Sequence, residues 1–377
     1  MNGRRIALLG GGQLGRMFLE NALRYDVQVD VLDPDPNCPC ARLAHRFVQG
    51  RFDDRDTVLA FAREADVVGI EIEHVSVEAL EELKRQGKIV IPDPDVLRTI
   101  KDKGLQKAFY KRHGIPTADF ALIEDRSGIA ANADLLPAFL KTRTGGYDGK
   151  GVMPIDSTED AAEAFDGPCV LERRADIALE LAVLVARSAE GGEVVYDPVE
   201  MVFDPRYNLV DHLRAPARVA DRVAREAASL ALRVAEAFGA PGLYAVELFL
   251  TPNGHLLVNE TAPRAHNSGH HSIEACASSQ FDQLLRIYLG WPLGDAALNG
   301  TAAMINLVGE GGSGPVQVQG LHEVLRIPAT YLHLYGKAET RTGRKMGHVT
   351  VLAHNDAALD KAIKITRSTC RIVPATS

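Results

Sequence analysis

Between Arg5 and Ile91 the chain alternates short apolar runs with stretches whose apolar positions recur every three to four residues. Residues 5–9, 27–32, 67–72 and 89–91 read as strands, and residues 13–25, 57–64 and 77–86 as helices, the first on Leu14, Met17, Phe18, Ala22 and Leu23. Strand–helix alternation of this kind predicts a parallel sheet covered by helices on both faces. Pro92-Asp93-Pro94 reads as a boundary. Beyond it the rhythm changes. A polar helix over 102–113 stops at Gly114 and Pro116, and strands are predicted at 138–141, 169–172 and 179–186. Residues 218–238 form an amphipathic helix on Val219, Val223, Leu230, Val234 and Phe238, with Gly239 at its C-cap. This mixed order predicts an α+β domain, and a smaller, mostly β module follows with strands at 304–308, 332–335 and 348–353.

Length fits this division: 377 residues suggest two or three domains. With 42 Lys and Arg against 50 Asp and Glu, the net charge of −8 excludes a general nucleic-acid binder but permits a local cationic cluster around a small anion. The first apolar stretch is too short for a signal-peptide core, and no uncharged run reaches the roughly 20 residues of a membrane span. Five irregularly spaced cysteines, Cys38, Cys40, Cys169, Cys276 and Cys370, read as reduced thiols of a cytoplasmic protein.

Two glycine loops carry candidate chemistry. Gly10-Gly11-Gly12-Gln13-Leu14-Gly15 fits G-x-G-x-x-G between a strand and a helix, with Asp33 standing 18 residues after Gly15. Glycines there let backbone approach a phosphate at a helix N-terminus, so a nicotinamide dinucleotide, another phosphate ligand and an empty tight turn all stay open. The second loop, residues 141–151, contains Lys141, Arg143, Gly145, Gly146, Tyr147, Asp148, Gly149, Lys150 and Gly151. It is not a P-loop, but glycine amides beside cations suit a flap over polyphosphate.

Asn253-Gly254 between two apolar runs is a hairpin signal. Counting outward from a two-residue turn places Glu247 directly opposite Glu260, with Cβ atoms about 4.5–5.5 Å apart. Apolar neighbours predict a sheet covered on both faces. Opposed carboxylates there need a cation or a proton between them, and hard oxygen ligands near phosphate favour Mg²⁺, with Asn259 adding a neutral oxygen. The segment after Glu260 is dense in donors: Arg264, His266, Asn267 and Ser268 suit a phosphate or sugar. Pro263 and Gly269 argue against a continuous zinc-binding helix on His266 and His270. Lys337, Arg341, Arg344 and Lys345 form a late basic cluster.

Taken in order, residues 11–17, the 145–151 loop, Asn259-Glu260, residues 262–270 and residues 343–348 resemble the N5-carboxyaminoimidazole ribonucleotide synthetase family (the phosphoribosylaminoimidazole carboxylase ATPase subunit) of the ATP-grasp superfamily. The resemblance implies a pre-ATP-grasp domain at 1–95, an ATP-grasp domain at 96–292 and a small β-rich C-terminal domain at 293–377. It implies a homodimer of de novo purine biosynthesis. The reaction implied joins bicarbonate to 5-aminoimidazole ribonucleotide with ATP and Mg²⁺.

The resemblance also assigns residues. Lys103 and Lys141 would contact ATP, with Gly146, Tyr147, Asp148, Gly149, Lys150, Gly151 and Asn259 around its phosphates. Glu172, Arg173, Arg174 and Ala175 would form the adenine segment, and Glu180 would take the ribose. Glu247 and Glu260 would hold the metal. Gly12, Gln13, Leu14, Glu73, Arg264, His266, Asn267, Ser268, Lys337, Arg344 and Lys345 would line the substrate pocket. Asp148, Lys345 and Tyr147 would do the chemistry. Lys103 stands where many members carry Arg, Ile70-Glu71-Ile72-Glu73 replaces a more aromatic run, and Phe203 occupies what resembles a His position by the nucleotide. Another ATP-grasp ligase, such as a formate-using glycinamide ribonucleotide transformylase, a nicotinamide dehydrogenase and a binding-only module are the competing expectations.

Overall fold

The structure, a computed structural model, describes residues 3–146 and 151–375. The N-terminal strands Ile6–Leu9, Val29–Asp33, Arg46–Gln49, Val67–Ile70 and Ile89–Ile91 pair in parallel, with the first strand between the second and the fourth. Arg46–Gln49 lacks a clear apolar period and was not expected. The order reverses at Ile6–Leu9, so the carboxyl ends of three strands open a crevice where the first glycine loop enters helix Gln13–Leu23.

One face of this sheet is covered by helix Val77–Arg85 through Leu80 and Leu83. The other packs with Met17 and Phe18 against helix Gln280–Leu289 of the central region. Gly69 permits that approach: a Cβ there would lie 2.2 Å from the Tyr288 hydroxyl. Pro92-Asp93-Pro94 is a helix start. The Asp93 carboxylate accepts from Asp95 N–H, Pro94 stands in the first turn of helix Pro94–Lys101, and Asp102 caps the next helix, Lys103–Arg112.

The central region holds two sheets. Strands Phe120–Ile123, Cys169–Arg173, Ala138–Thr142 and Val152–Ile155 form the smaller one. The larger, nine-stranded among the described residues, runs through Leu256–Ala262, Gly242–Leu250, Leu179–Arg187, Val199–Asp204 and Leu209–Ala215. Alternation gives it two characters. Leu181, Val183, Val246 and Leu248 pack on helix Asp221–Phe238, which ends at Gly239 with φ +67°. Glu180, Ala182 and Glu247 share the opposite face, because Ala182 pairs directly with Glu247 and Glu180 with Phe249.

The sheet does not stop at residue 292. Strand Thr301–Val308 pairs with Leu209–Ala215, and Lys345–Ala353 and Thr330–Leu334 extend it. The mostly β reading of the last module missed helix Asp356–Thr369, whose Leu359, Ala362 and Ile363 pack under Ile305, Val349 and Val351. Burial of each such aliphatic side chain contributes about 1.5–3 kcal/mol.

The hairpin register holds by compensation. Thr251 N–H donates to His255 O, and Gly254 has φ +80°, so the loop has three residues, Pro252, Asn253 and Gly254. Leu250 therefore pairs with Leu256, one step off the expected register. A β-bulge between Glu247 and Leu248 leaves Asn259 as the extra residue and returns Glu247 opposite Glu260. Coverage of both faces fails locally, since Glu260 is exposed. No helix of the described residues is long and apolar enough to cross a membrane. All five cysteines are free and buried.

Candidate active site between two sheets

The small sheet and the large one face each other across a cleft with charge on both walls. Glu172 and Lys141 lie on one face of the small sheet. The Glu172 carboxylate is buried, 2.9 Å from Lys107 Nζ and 3.1 Å from Lys141 Nζ. Burial opposes its ionisation, but the two ammoniums outweigh burial and Glu172 titrates below the usual carboxylate range. Burial pulls Lys107 down to about 8 although Glu172 resists. Lys141 reaches across the cleft to Asn259 Oδ1 at 3.4 Å. The bulge that leaves Asn259 unpaired in the ladder thus supplies an oxygen to the cleft.

Gln106 fixes the third wall by exchanging two 3.2 Å hydrogen bonds with the backbone of Thr261, next to Glu260. Its helix brings Lys103, whose Nζ donates to Gly146 O at 3.3 Å. Arg143 is not a free cation, because it forks onto Asp102. Gly145 (φ +81°) and Gly151 (φ +72°) adopt backbone that favours glycine, and Gly151 O accepts from Thr142 N–H. Tyr147, Asp148, Gly149 and Lys150 lie outside the described residues.

On the large sheet, burial pushes Glu180 up to about 7, with Lys141 pulling against it. Glu247 is also pushed well above the usual range, first by burial and then by the Glu260 and Glu180 carboxylates. Carboxylates so placed favour a proton or a cation between them. Among the described residues no group of three or more His, Cys, Asp or Glu could hold a metal. A pair of carboxylates beside phosphate is nevertheless the donor set Mg²⁺ uses, since it keeps waters and substrate oxygens in its shell.

His266 connects this pair to a second pocket. Its Nδ1 accepts from Ser268 N–H at 3.3 Å, which leaves the proton on Nε2, 3.6 Å from Glu247 Oε1. Burial, Arg264 and Lys345 push its pKa down to about 3, so the ring is neutral. Arg264 Nε lies 2.8 Å from Glu73 Oε1. Lys337 Nζ donates to Gln13 Oε1 and to Lys345 O, both at 2.6 Å. Gln13, Glu73, Arg264, Lys337 and Lys345, from all three regions of the chain, thus meet in pairs near His266, whose ring feels the charges of both Arg264 and Lys345.

Three family descriptions match consecutive stretches of the sequence: a ribonucleotide synthetase preATP-grasp domain over residues 3–101, an ATP-grasp domain over 108–281, and a phosphoribosylaminoimidazole carboxylase C-terminal domain over 302–362. The N5-carboxyaminoimidazole ribonucleotide synthase of Brucella melitensis is 35% identical over 92% of this chain and 96% of its own length. The chain belongs to the N5-carboxyaminoimidazole ribonucleotide synthase family.

Structures agree with this family assignment. N5-carboxyaminoimidazole ribonucleotide synthetase from Thermotoga maritima superposes with a TM-score of 0.92 at 37% identity, covering 99% of this chain and 100% of that one. The Aspergillus clavatus N5-carboxyaminoimidazole synthase, solved with ADP and 5-aminoimidazole ribonucleotide, gives 0.88 at 34% identity over 97% and 99%. The chloroplastic phosphoribosylaminoimidazole carboxylase of Vigna aconitifolia is 37% identical, and the match takes 96% of this chain but 66% of the plant protein.

Against the family expectation, several side chains are engaged elsewhere. Arg173 and Arg174 face outward to Asp119 and Asp156, so only their backbone, with that of Ala175, is left to offer a nucleotide. Glu172 spends its carboxylate on two lysines. Asn267 exchanges paired 2.9 Å amide bonds with Asn306, and Arg344 donates to Glu339 O. Leu14 packs into the core, and Ser268 is buried against His266. Phe203 joins the apolar cluster of Ala182, Val199 and Met201 on the face that carries Glu180.

The first glycine loop decides against one of the competing expectations. Gly12 and Gly15 N–H donate to the two oxygens of Glu71 at 2.7 and 2.9 Å, and Gly11 N–H donates to Asp33 at 2.7 Å. The amides a dinucleotide would need are taken by carboxylates of the chain itself, and the nicotinamide reading fails. Lys107 and Glu71 were both missed as site residues. The i, i+4 spacing of Lys103 and Lys107 was the signal for the first. Glu71, two residues before Glu73 at a strand end, was the signal for the second.

Proposed function

We propose that this protein carboxylates 5-aminoimidazole ribonucleotide with bicarbonate at the expense of ATP, giving N5-carboxyaminoimidazole ribonucleotide, ADP and phosphate in de novo purine biosynthesis. The observation that carries this reading is the Glu247–Glu260 pair, set between a lysine-walled cleft and a cationic pocket and reached from that pocket by His266. The cleft takes ATP through Lys103, Lys141 and Glu180, with the three units of the chain, 1–95, 96–292 and 293–377, meeting around it. Glu247 and Glu260 fit Mg²⁺, which when bound neutralises charge on the phosphoryl oxygens.

Bicarbonate is a poor electrophile. Its oxygen attacks the γ-phosphorus, the bond to ADP breaks, and carboxyphosphate results. The exocyclic amine of the substrate then bonds to the carboxyphosphate carbon as the carbon–oxygen bond to phosphate breaks and phosphate leaves, or to the CO₂ that departs from that phosphate first. Asp148, beside Tyr147 in the sequence, accepts the amine proton, and Lys345 stabilises negative charge on the transferred carboxyl group. Arg264, Gln13 and Lys337 orient the ribonucleotide. A cytoplasmic homodimer fits the free cysteines and the family.

ADP release, followed with 5-aminoimidazole ribonucleotide in the presence and absence of bicarbonate, tests the reading. Release stimulated by both is expected, and its absence rejects the assignment. Asp148→Asn should lower turnover by about 10²–10⁴-fold, and unchanged turnover would remove Asp148 from its role.

A further inference from the structure

A glycine-rich turn between a strand and a helix ordinarily receives a phosphate from outside. Here the seat is filled from within. Strand Val67–Ile70 ends with Glu71 N–H donating to Leu9 O, and the Glu71 side chain then turns onto the helix N-terminus. Its two oxygens take the amides of Gly12 and Gly15, which bracket Gln13. The fit is close: a Cβ on Gly12 would lie 2.5 Å from Glu71 Oε1. Gln13 in turn accepts from Lys337, and Lys337 is tied to Lys345 O. Two residues further on, Glu73 holds Arg264. One short segment therefore fixes both sides of the substrate pocket.

We propose that Glu71 is a positioning residue for the ribonucleotide: its carboxylate stands in for a phosphate at the first glycine loop, locks Gln13 and through it Lys337, and so directs the phosphate of the substrate to the cationic side of the pocket. This rests on the carboxylation reading above. The occupied helix end also repels a second anion, which explains why a dinucleotide-like motif serves a mononucleotide. Burial raises the Glu71 pKa, while the Gly15 and Gly12 amides and Arg264 favour the charged form.

The test compares wild type with Glu71→Ala and the isosteric Glu71→Gln. Glu71→Ala should raise KM for 5-aminoimidazole ribonucleotide about tenfold or more while KM for ATP stays within about twofold. Glu71→Gln, which keeps one acceptor but turns an NH₂ toward an amide donor, should fall between. Acetate at tens of millimolar should re-occupy the emptied seat, raising the melting temperature of Glu71→Ala but not of wild type and recovering part of the lost KM. Unchanged KM for the ribonucleotide in both variants, equal weakening of both substrates, or an Ala variant indifferent to acetate would each overturn the proposal. Acetate-dependent melting does not depend on turnover, and wild-type ADP release tests the carboxylation reading separately.

Discussion

The two glycine loops begin from similar composition and end in opposite states. In the first, glycine amides point at Glu71 and Asp33, and the chain satisfies its own donors. Around the second, Lys103 and Lys141 converge from separate elements on a cleft opposite Glu180, Glu247 and Asn259. The amides of the first loop are spent inside the fold, and on the proposed reading the cations around the second serve the nucleotide. In the first loop it is the fold that brings carboxylates to the glycine amides. A glycine signature reports permission for close approach, and the approaching group comes from elsewhere in the chain.

The largest expected effect sharpens the contrast between buried neutral side chains and the charged cleft. His266, His271, His270 and His348 are all held neutral, primarily by burial, the first two at about 3 and about 4 and the other two well below the ordinary value. Below pH ~6.5 the unfolded chain takes up protons that the folded chain refuses, so stability falls as pH falls. Each imidazole contributes a slope of up to about 1.4 kcal/mol per pH unit between pH ~6.5 and ~4, so the four together reach about 5.5 kcal/mol per pH unit. Urea midpoints across that range measure it. His271→Gln should remove about a quarter of the slope, and a flat profile would show that the rings are not held neutral.

The next effect separates the two lysines on Glu172. Lys107→Ala leaves a carboxylate, 4% exposed, with one partner, and should cost about 3 kcal/mol of unfolding stability. Lys141→Ala leaves the more buried pair intact. It should cost less stability and raise KM for ATP about tenfold. Equal stability losses would mean that both lysines are structural.

The smallest effect compares the loops directly. Gly12→Ala pushes a methyl into Glu71 and should cost about 1–3 kcal/mol with weaker ribonucleotide binding, by thermal melting and KM. At Gly145 a Cβ meets nothing within 4 Å, and the cost is only that of φ +81°, about 1 kcal/mol. A reversed order would break the distinction between the loops.

Much of this was legible in the residues, in particular ways. Period-2 and period-3.6 patterns located the parallel sheet and the long helix because those depend on local burial. The Glu247–Glu260 pairing was right although the turn was misread: the loop gained a residue and the bulge at Asn259 compensated. Spacing could offer Lys107 and Glu71 as candidates, but the pairings of Glu172 with Lys107, Asn267 with Asn306 and Glu71 with the glycine amides could not be read. Each joins groups 39 to 65 residues apart, and nothing in local spacing distinguishes a carboxylate that binds a ligand from one already spent on the fold.

Strand Leu209–Ala215 and strand Thr301–Val308 hydrogen-bond across the point where one family description ends and the next begins. The units that the family descriptions separate there are therefore not units that could be cut apart. A truncated chain ending near residue 292 would bare the edge from His212 to Ala215, an invitation to intermolecular strand addition and precipitation. A cut at Pro92, where a helix starts, spares that ladder but has to match the Glu73–Arg264, Gln13–Lys337 and Tyr25–Asp282 contacts that cross it.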